Sequence, residues 1–263
     1  MRNLFCLLVV QLLMIGSYGQ KLNGYAAGNF INGKDTLPYR YLQPLDFKEG
    51  KKYPVLIVLH GTGERGTDNK LQLLHGSKEF LDPMVRQNFP AYIIFPQCKP
   101  NAGWARVTKE RFSFDSLGGL VYLSHRPPTL PSTLLIQLLD SIAKQPSVDK
   151  DRIYLGGLSM GGMGTFELLW RKPGFFAAAF VICGGGDPQK AFLYKNVPIW
   201  IFHGKEDPTV PVANSRRMFN AIRDAGGTAK YYEYRNVGHH SWDNALAEPG
   251  LIPWLFSQSR KKL

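Results

Sequence analysis

The chain has 263 residues, 44% of them hydrophobic and 13% aromatic, with a formal net charge of +12. That length suits one α/β domain, and that apolar content excludes a disordered or low-complexity chain. The basic residues are scattered apart from Arg260-Lys261-Lys262, and no nucleic-acid-binding motif accompanies them; the charge reads as a solvated surface or as a preference for anionic polymers.

Met1-Arg2-Asn3 is a basic head, followed by an apolar run over 4–15. Ser17 and Gly19 then supply the small residues that a cleavage point before Gln20 requires. That order predicts a signal peptide over 1–19 and a single exported domain over 20–263, periplasmic or extracellular. The apolar run is short for a membrane span, so no stable span is expected after cleavage, with an uncleaved anchor as the rival reading. Residues 25–30 and 37–42 read as strands of an antiparallel hairpin turned at Asn32-Gly33. Residues 55–59 are continuously apolar, as a strand buried on both faces should be, and similar runs recur at 91–95, 153–155, 178–182, 199–202 and 231–234. Between them lie helical stretches. Ser132 is placed to cap one that runs to about Lys144, with Leu134, Leu135, Leu138, Leu139 and Ile142 on its apolar face. Others cover 165–170 and 212–225, the last stopped by Gly226-Gly227. Alternating strands and helices predict an α/β fold: a mostly parallel twisted sheet of about eight strands with helices on both faces. Residues 100–131 break the rhythm with Gly118-Gly119, Pro127, Pro128 and Pro131, and read as a loop excursion near the site.

Ligands in such sheets bind at the carboxyl ends of strands. Gly157-Leu158-Ser159-Met160-Gly161 sits there, between a strand and a helix, which is the setting of a nucleophile elbow. Three more strand ends carry polar groups: His60-Gly61-Thr62-Gly63-Glu64-Arg65-Gly66, His203-Gly204-Lys205-Glu206-Asp207-Pro208, and Gly238-His239-His240-Ser241-Trp242. Serine, acid and histidine thus follow in that chain order. Cys98 and Cys183 could pair in an exported protein or pack as buried thiols, the preferred reading. No Cys or His cluster has metal-ligand spacing, so no metal or cofactor is expected.

Together with Pro96-Gln97-Cys98, these segments resemble bacterial single-domain esterases of the α/β-hydrolase superfamily. These include phospholipase/carboxylesterase-like proteins and the feruloyl/acetyl-xylan esterase and polyhydroxybutyrate-depolymerase types. The resemblance runs from about Val55 to Trp242. It implies Ser159 as nucleophile, His239 as base and Asp207 as the acid that orients it, with the backbone amides of Thr62 and Met160 as oxyanion hole. His240 remains the rival base, and Glu206, Asp187 and Asp243 the rival acids. His60 reads as part of the His-Gly turn and His203 as packing beneath the acid loop. Glu64 and Arg65 form either an ion pair or a plain solvated pair. Trp104 and Trp242 are candidates for the acyl or alcohol pocket, with core packing as the competing reading. The expected function is a secreted serine ester hydrolase acting through an acyl-enzyme. Its substrate is a small-molecule or polysaccharide-linked ester, such as an acetyl or feruloyl ester of plant polysaccharide. A prolyl-oligopeptidase-like peptidase and a non-catalytic carbohydrate-binding scaffold are the alternatives.

Overall fold

In the computed structural model, which describes residues 24–109 and 120–260, the apolar runs become strands of one sheet, with the run at 231–234 at its edge. The segment expected to be a signal peptide lies outside the described residues. In chain order the elements are β1 (Ala26–Asn32), β2 (Asp35–Leu42), β3 (Tyr53–Leu59), α1 (Pro83–Asn88), β4 (Tyr92–Pro96), β5 (Val107–Lys109), β6 (Leu120–Tyr122) and α2 (Leu130–Ile142). There follow β7 (Val148–Leu158), α3 (Met160–Arg171), β8 (Ala178–Ile182), β9 (Ile199–Gly204), α4 (Ala213–Asp224), β10 (Ala229–Tyr234), α5 (Trp242–Leu246) and α6 (Leu251–Ser257).

Eight of the described strands form the main sheet, in the order β1-β2-β4-β3-β7-β8-β9-β10. The hairpin β1–β2 is antiparallel, turns through Gly33 at φ +59°, and joins β4 antiparallel. From β4 to β10 every pairing is parallel. Every residue of β3, β4 and β8 is buried, because helices cover both faces and leave no polar side to the strand. On one face Leu135, Leu138 and Leu139 of α2, Phe166 of α3 and Ile222 of α4 share one core with Val55, Ile57 and Leu155. On the other, Leu251 and Leu255 of α6 meet Tyr154, Phe180 and Phe202. Each such buried side chain contributes about 1.5–3 kcal/mol.

The chain leaves β3 for β4 on one side, then crosses back through α2 to enter β7 on the other side of β3. This reversal opens a crevice between the carboxyl ends of β3 and β7, where an α/β sheet takes its ligand. Two details differ from expectation. The cap of α2 is Thr129, whose side chain accepts from the Ser132 amide; Ser132 lies inside the helix, fully buried, and its hydroxyl donates to the Trp104 carbonyl. Within the excursion, β5 and β6 form a small antiparallel pair of their own.

Candidate active site

Gly157, Gly161 and Ser159 build the turn at the end of β7. A Cβ on Gly161 would lie 2.0 Å from the Leu59 carbonyl oxygen, and one on Gly157 would lie 2.3 Å from the Gly161 oxygen, so only glycine lets α3 start this close to β3. Ser159 itself sits at φ 52°, ψ −118°, a sparsely populated conformation that costs about 1–3 kcal/mol and persists only where packing fixes it. Here the Ser159 amide donates to Ile182 O at 2.9 Å, and its carbonyl accepts from Met163 N at 3.0 Å. The hydroxyl is thereby held above the sheet rather than along it.

Ser159 Oγ lies 2.9 Å from His239 Nε2, and His239 Nδ1 lies 2.7 Å from Asp207 Oδ2. The three groups come from the ends of β7, β9 and β10. Asp207 Oδ1 accepts from the amides of Thr209 at 2.8 Å and Val210 at 2.9 Å. Burial pushes the Asp207 carboxyl up, but hydrogen bonds from His203, His239 and those two amides outweigh it, and the group ends far below the usual carboxylate range. Of the rival residues, His240 is exposed and stacks on Trp242, with ring centroids 4.7 Å apart. Glu206 and Asp243 are exposed, and Asp187 caps the turn after β8 through Gln189 N.

Thr62 begins a short 3-10 turn and Met160 begins α3, so both amides belong to helix starts, which lack intrahelical partners. Both residues line one cavity with Ser159, of about 420 Å³, walled also by Ala102, Gly103, Val107 and Leu120. Residues of the 100–131 segment therefore supply one side of it. Nothing in the sequence singled out these wall positions; the Gly/Pro-rich break marked only the region.

Trp104 and Trp242 are not among the residues that line this cavity. Trp104 is fully buried, donates from Nε1 to the His60 carbonyl at 3.1 Å and meets the His60 ring edge-on at 5.3 Å. An indole with that partner supports the His-Gly turn from beneath. Trp242 packs edge-on against His239 at 5.5 Å and in a tilted contact with His75 at 5.0 Å. The ion pair between Glu64 and Arg65 is not formed. Glu64 is buried and faces His75 Nε2 at 3.6 Å, while Arg65 donates to the carbonyls of Thr62 at 3.0 Å and Ala102 at 3.2 Å.

His60 accepts at Nε2 from Cys98 N at 2.9 Å, so its proton is assigned to Nδ1, 2.6 Å from Gly61 O. Burial is the main cause that lowers its pKa to about 4, keeping the ring neutral inside the turn. Cys98 and Cys183 are both free and buried. Burial pushes the Cys98 thiol up to about 12 and the Cys183 thiol higher still. Cys183, Asp207 and His239 offer donor atoms within 4.8 Å of one another, a group close enough to hold a metal ion among the described residues. The Asp207–His239 hydrogen bond already engages two of the three.

The phospholipase/carboxylesterase family profile matches residues 131–248. The chain is similar to the crystal structure of a thermostable esterase, with 35% identity and a TM-score of 0.80, covering 90% of this chain and 64% of that one. It is 39% identical over 76 residues to Esterase LipQ of Mycobacterium tuberculosis, covering 28% of this chain and 16% of the relative. It is 24% identical over 226 residues to an endo-1,4-beta-xylanase/feruloyl esterase of Xylanibacter ruminicola, covering 84% of this chain and 29% of the relative. The chain thus spans less than a third of the length of these two curated relatives.

Proposed function

We propose that this chain is a serine carboxylic-ester hydrolase of the α/β-hydrolase superfamily, with Ser159, His239 and Asp207 as its catalytic groups, a reading supported by its similarity to the phospholipase/carboxylesterase profile and to the thermostable esterase. The observation that carries this reading is the unbroken hydrogen-bonded chain from Ser159 Oγ through His239 to Asp207, whose serine end lines a cavity together with the starts of two helical turns. Ser159 Oγ attacks the ester carbonyl carbon as His239 Nε2 takes its proton. Negative charge on the carbonyl oxygen is met by the amides of Thr62 and Met160, each worth on the order of 10²–10³ in rate. His239 returns the proton to the departing alcohol oxygen, leaving an acyl-serine. Water then attacks that acyl carbon as His239 Nε2 takes its proton, and the acyl–oxygen bond breaks as Ser159 Oγ takes that proton back, releasing the carboxylic acid. Asp207 keeps its charge throughout and holds His239 with its proton on Nδ1. No cofactor enters these steps.

For the substrate we infer an acetyl or feruloyl ester of plant polysaccharide, in keeping with the feruloyl esterase activity named for the Xylanibacter relative. A cavity of about 420 Å³ with walls of Ala102, Gly103, Val107 and Leu120 accommodates an acyl group larger than acetyl. Export by a signal peptide over 1–19 would place the enzyme where such polymers occur.

The test is turnover of p-nitrophenyl acetate and labelling by a fluorophosphonate probe. Ser159→Ala should abolish labelling, and both Ser159→Ala and His239→Ala should lower kcat by roughly 10⁶. Persistent labelling in Ser159→Ala would remove Ser159 from the mechanism. A panel of acetyl, feruloyl and longer-chain esters, with a matched amide, then ranks the acyl group and separates ester from peptide hydrolysis.

A further inference from the structure

His203 is the last residue but one of β9, with its side chain fully buried, four residues before Asp207. Its Nε2 lies 3.1 Å from Asp207 Oδ2 and 2.9 Å from the Val210 carbonyl oxygen. Its Nδ1 lies 2.6 Å from Ser215 Oγ in α4, which is itself 2.9 Å from the Gly184 carbonyl after β8. Both neighbours of Nε2 are acceptors only, so Nε2 carries a proton whichever partner receives the single proton of Ser215. The consequence falls on one oxygen. Asp207 Oδ2 takes two N–H donors, one from His203 and one from His239, while Oδ1 is held by two amides.

We propose that His203 is a positioning residue that tunes the Asp207–His239 contact by competing for Asp207 Oδ2. This deepens the proposed function and rests on it. A carboxylate oxygen with two donors offers less charge to each than an oxygen with one. The His203 N–H therefore weakens the hold of Asp207 on a protonated His239, and removing it strengthens that hold. It also fixes the carboxylate plane, together with the Thr209 and Val210 amides. The framework is rigid because β9, α4 and the Gly184 turn all contribute to it. A buried imidazole with acceptors on two sides is a costly way to fill space, since every polar atom must find a partner. Here each does, and the shared partner is the Asp207 oxygen that orients His239.

Other ionisable groups around His239 are the same in every variant considered. They are the Cys183 thiol at the end of β8 and His240 beside it in the chain, together with the Glu64–His75 pair beyond Trp242. Glu206 and Lys205 in the acid loop are exposed.

The experiment follows the rate of fluorophosphonate labelling against pH, which needs no knowledge of the natural ester. His203→Leu removes the donor to Oδ2. His203→Asn keeps an amide near Ser215 but does not reach Oδ2. His203→Gln places an amide N–H close to the Nε2 position. In the Leu and Asn variants the acid limb should move up by about half to one pH unit, with the plateau rate falling less than about tenfold. In the Gln variant the limb should stay within about 0.2 of the native position. Should His203→Leu not fold, the Asn and Gln pair carries the comparison. An unmoved limb in Asn, or equal movement in Asn and Gln, overturns the proposal, whatever happens to thermal stability. Absence of labelling in the native protein would instead overturn the functional reading on which it rests.

Discussion

Replacing Gly161 by alanine puts a methyl group 2.0 Å from Leu59 O, 2.5 Å from Leu59 C and 2.8 Å from His60 O. All three are backbone atoms, so no rotamer change relieves the clash. To reach a normal contact of 3.4 Å, α3 and the end of β3 must part by about 1.4 Å. That movement separates Ser159 and Met160, on one side, from Thr62 on the other. Overpacking of this kind costs about 1–3 kcal/mol of stability. Its larger effect is on rate, because a misplacement near 1 Å at the reacting centre costs on the order of 10². Urea unfolding and p-nitrophenyl acetate kinetics measure the two separately. The expected outcome is a folded Gly161→Ala protein with kcat/KM down by about 10²-fold and a modestly lower midpoint. A folded variant within about threefold of native kcat/KM would refute the claim that this close approach sets the relation between serine and turn.

Three further outcomes are expected. Asp207→Asn should lower kcat by about 10⁴, because the amide no longer fixes the His239 tautomer, with the fold retained by circular dichroism. His60 is held neutral with its pKa depressed from 6.5 to about 4, so the unfolded chain takes up the proton first as pH falls. Its contribution is complete above pH 6.5, and about 3 kcal/mol is lost between there and pH 4. Urea midpoints at several pH values, compared with His60→Gln, should show that slope in the native protein and its loss in the variant. Trp104→Phe strands the His60 carbonyl and opens space under the turn; it should cost about 2–4 kcal/mol by urea unfolding and lower kcat without a matching rise in KM. A loss below about 1 kcal/mol would show that water takes over that bond.

The sheet was legible because buried strands have a distinct composition. The run at 178–182 coincides with β8, all of it buried, and the run at 55–59 falls inside β3. Ser159, Asp207 and His239 were legible because each closes such a run, where strand-end geometry restricts what a polar residue can do. What stayed hidden depends on partners far along the chain. Ser132 looks like a cap, but its hydroxyl is drawn inward by Trp104 O, and Thr129 takes the capping role. A buried tryptophan in a broken segment reads equally as pocket or prop; only the His60 carbonyl at its Nε1 decides. Glu64 and Arg65 are neighbours in sequence, yet the turn through Thr62–Glu64 sends them in different directions. His203 did carry a signal, its four-residue offset from Asp207 in a His-Gly-x-x-Asp segment, but the shared oxygen appears only with the fold.

Arg65 joins the Thr62 carbonyl to the Ala102 carbonyl, beside the Ser159–His239–Asp207 chain rather than within it. In the proposed mechanism Thr62 offers its amide to the charged oxygen, and Ala102 lines the cavity beside it. The two are tied by a single guanidinium, so recognition and rate are not independent variables in this molecule. A family of variants selected to admit bulkier acyl groups by reshaping the wall near Ala102 will carry a turnover cost through that tether. The way to widen the chamber without that cost is from Val107 and Leu120, wall residues outside the Thr62–Arg65–Ala102 tether.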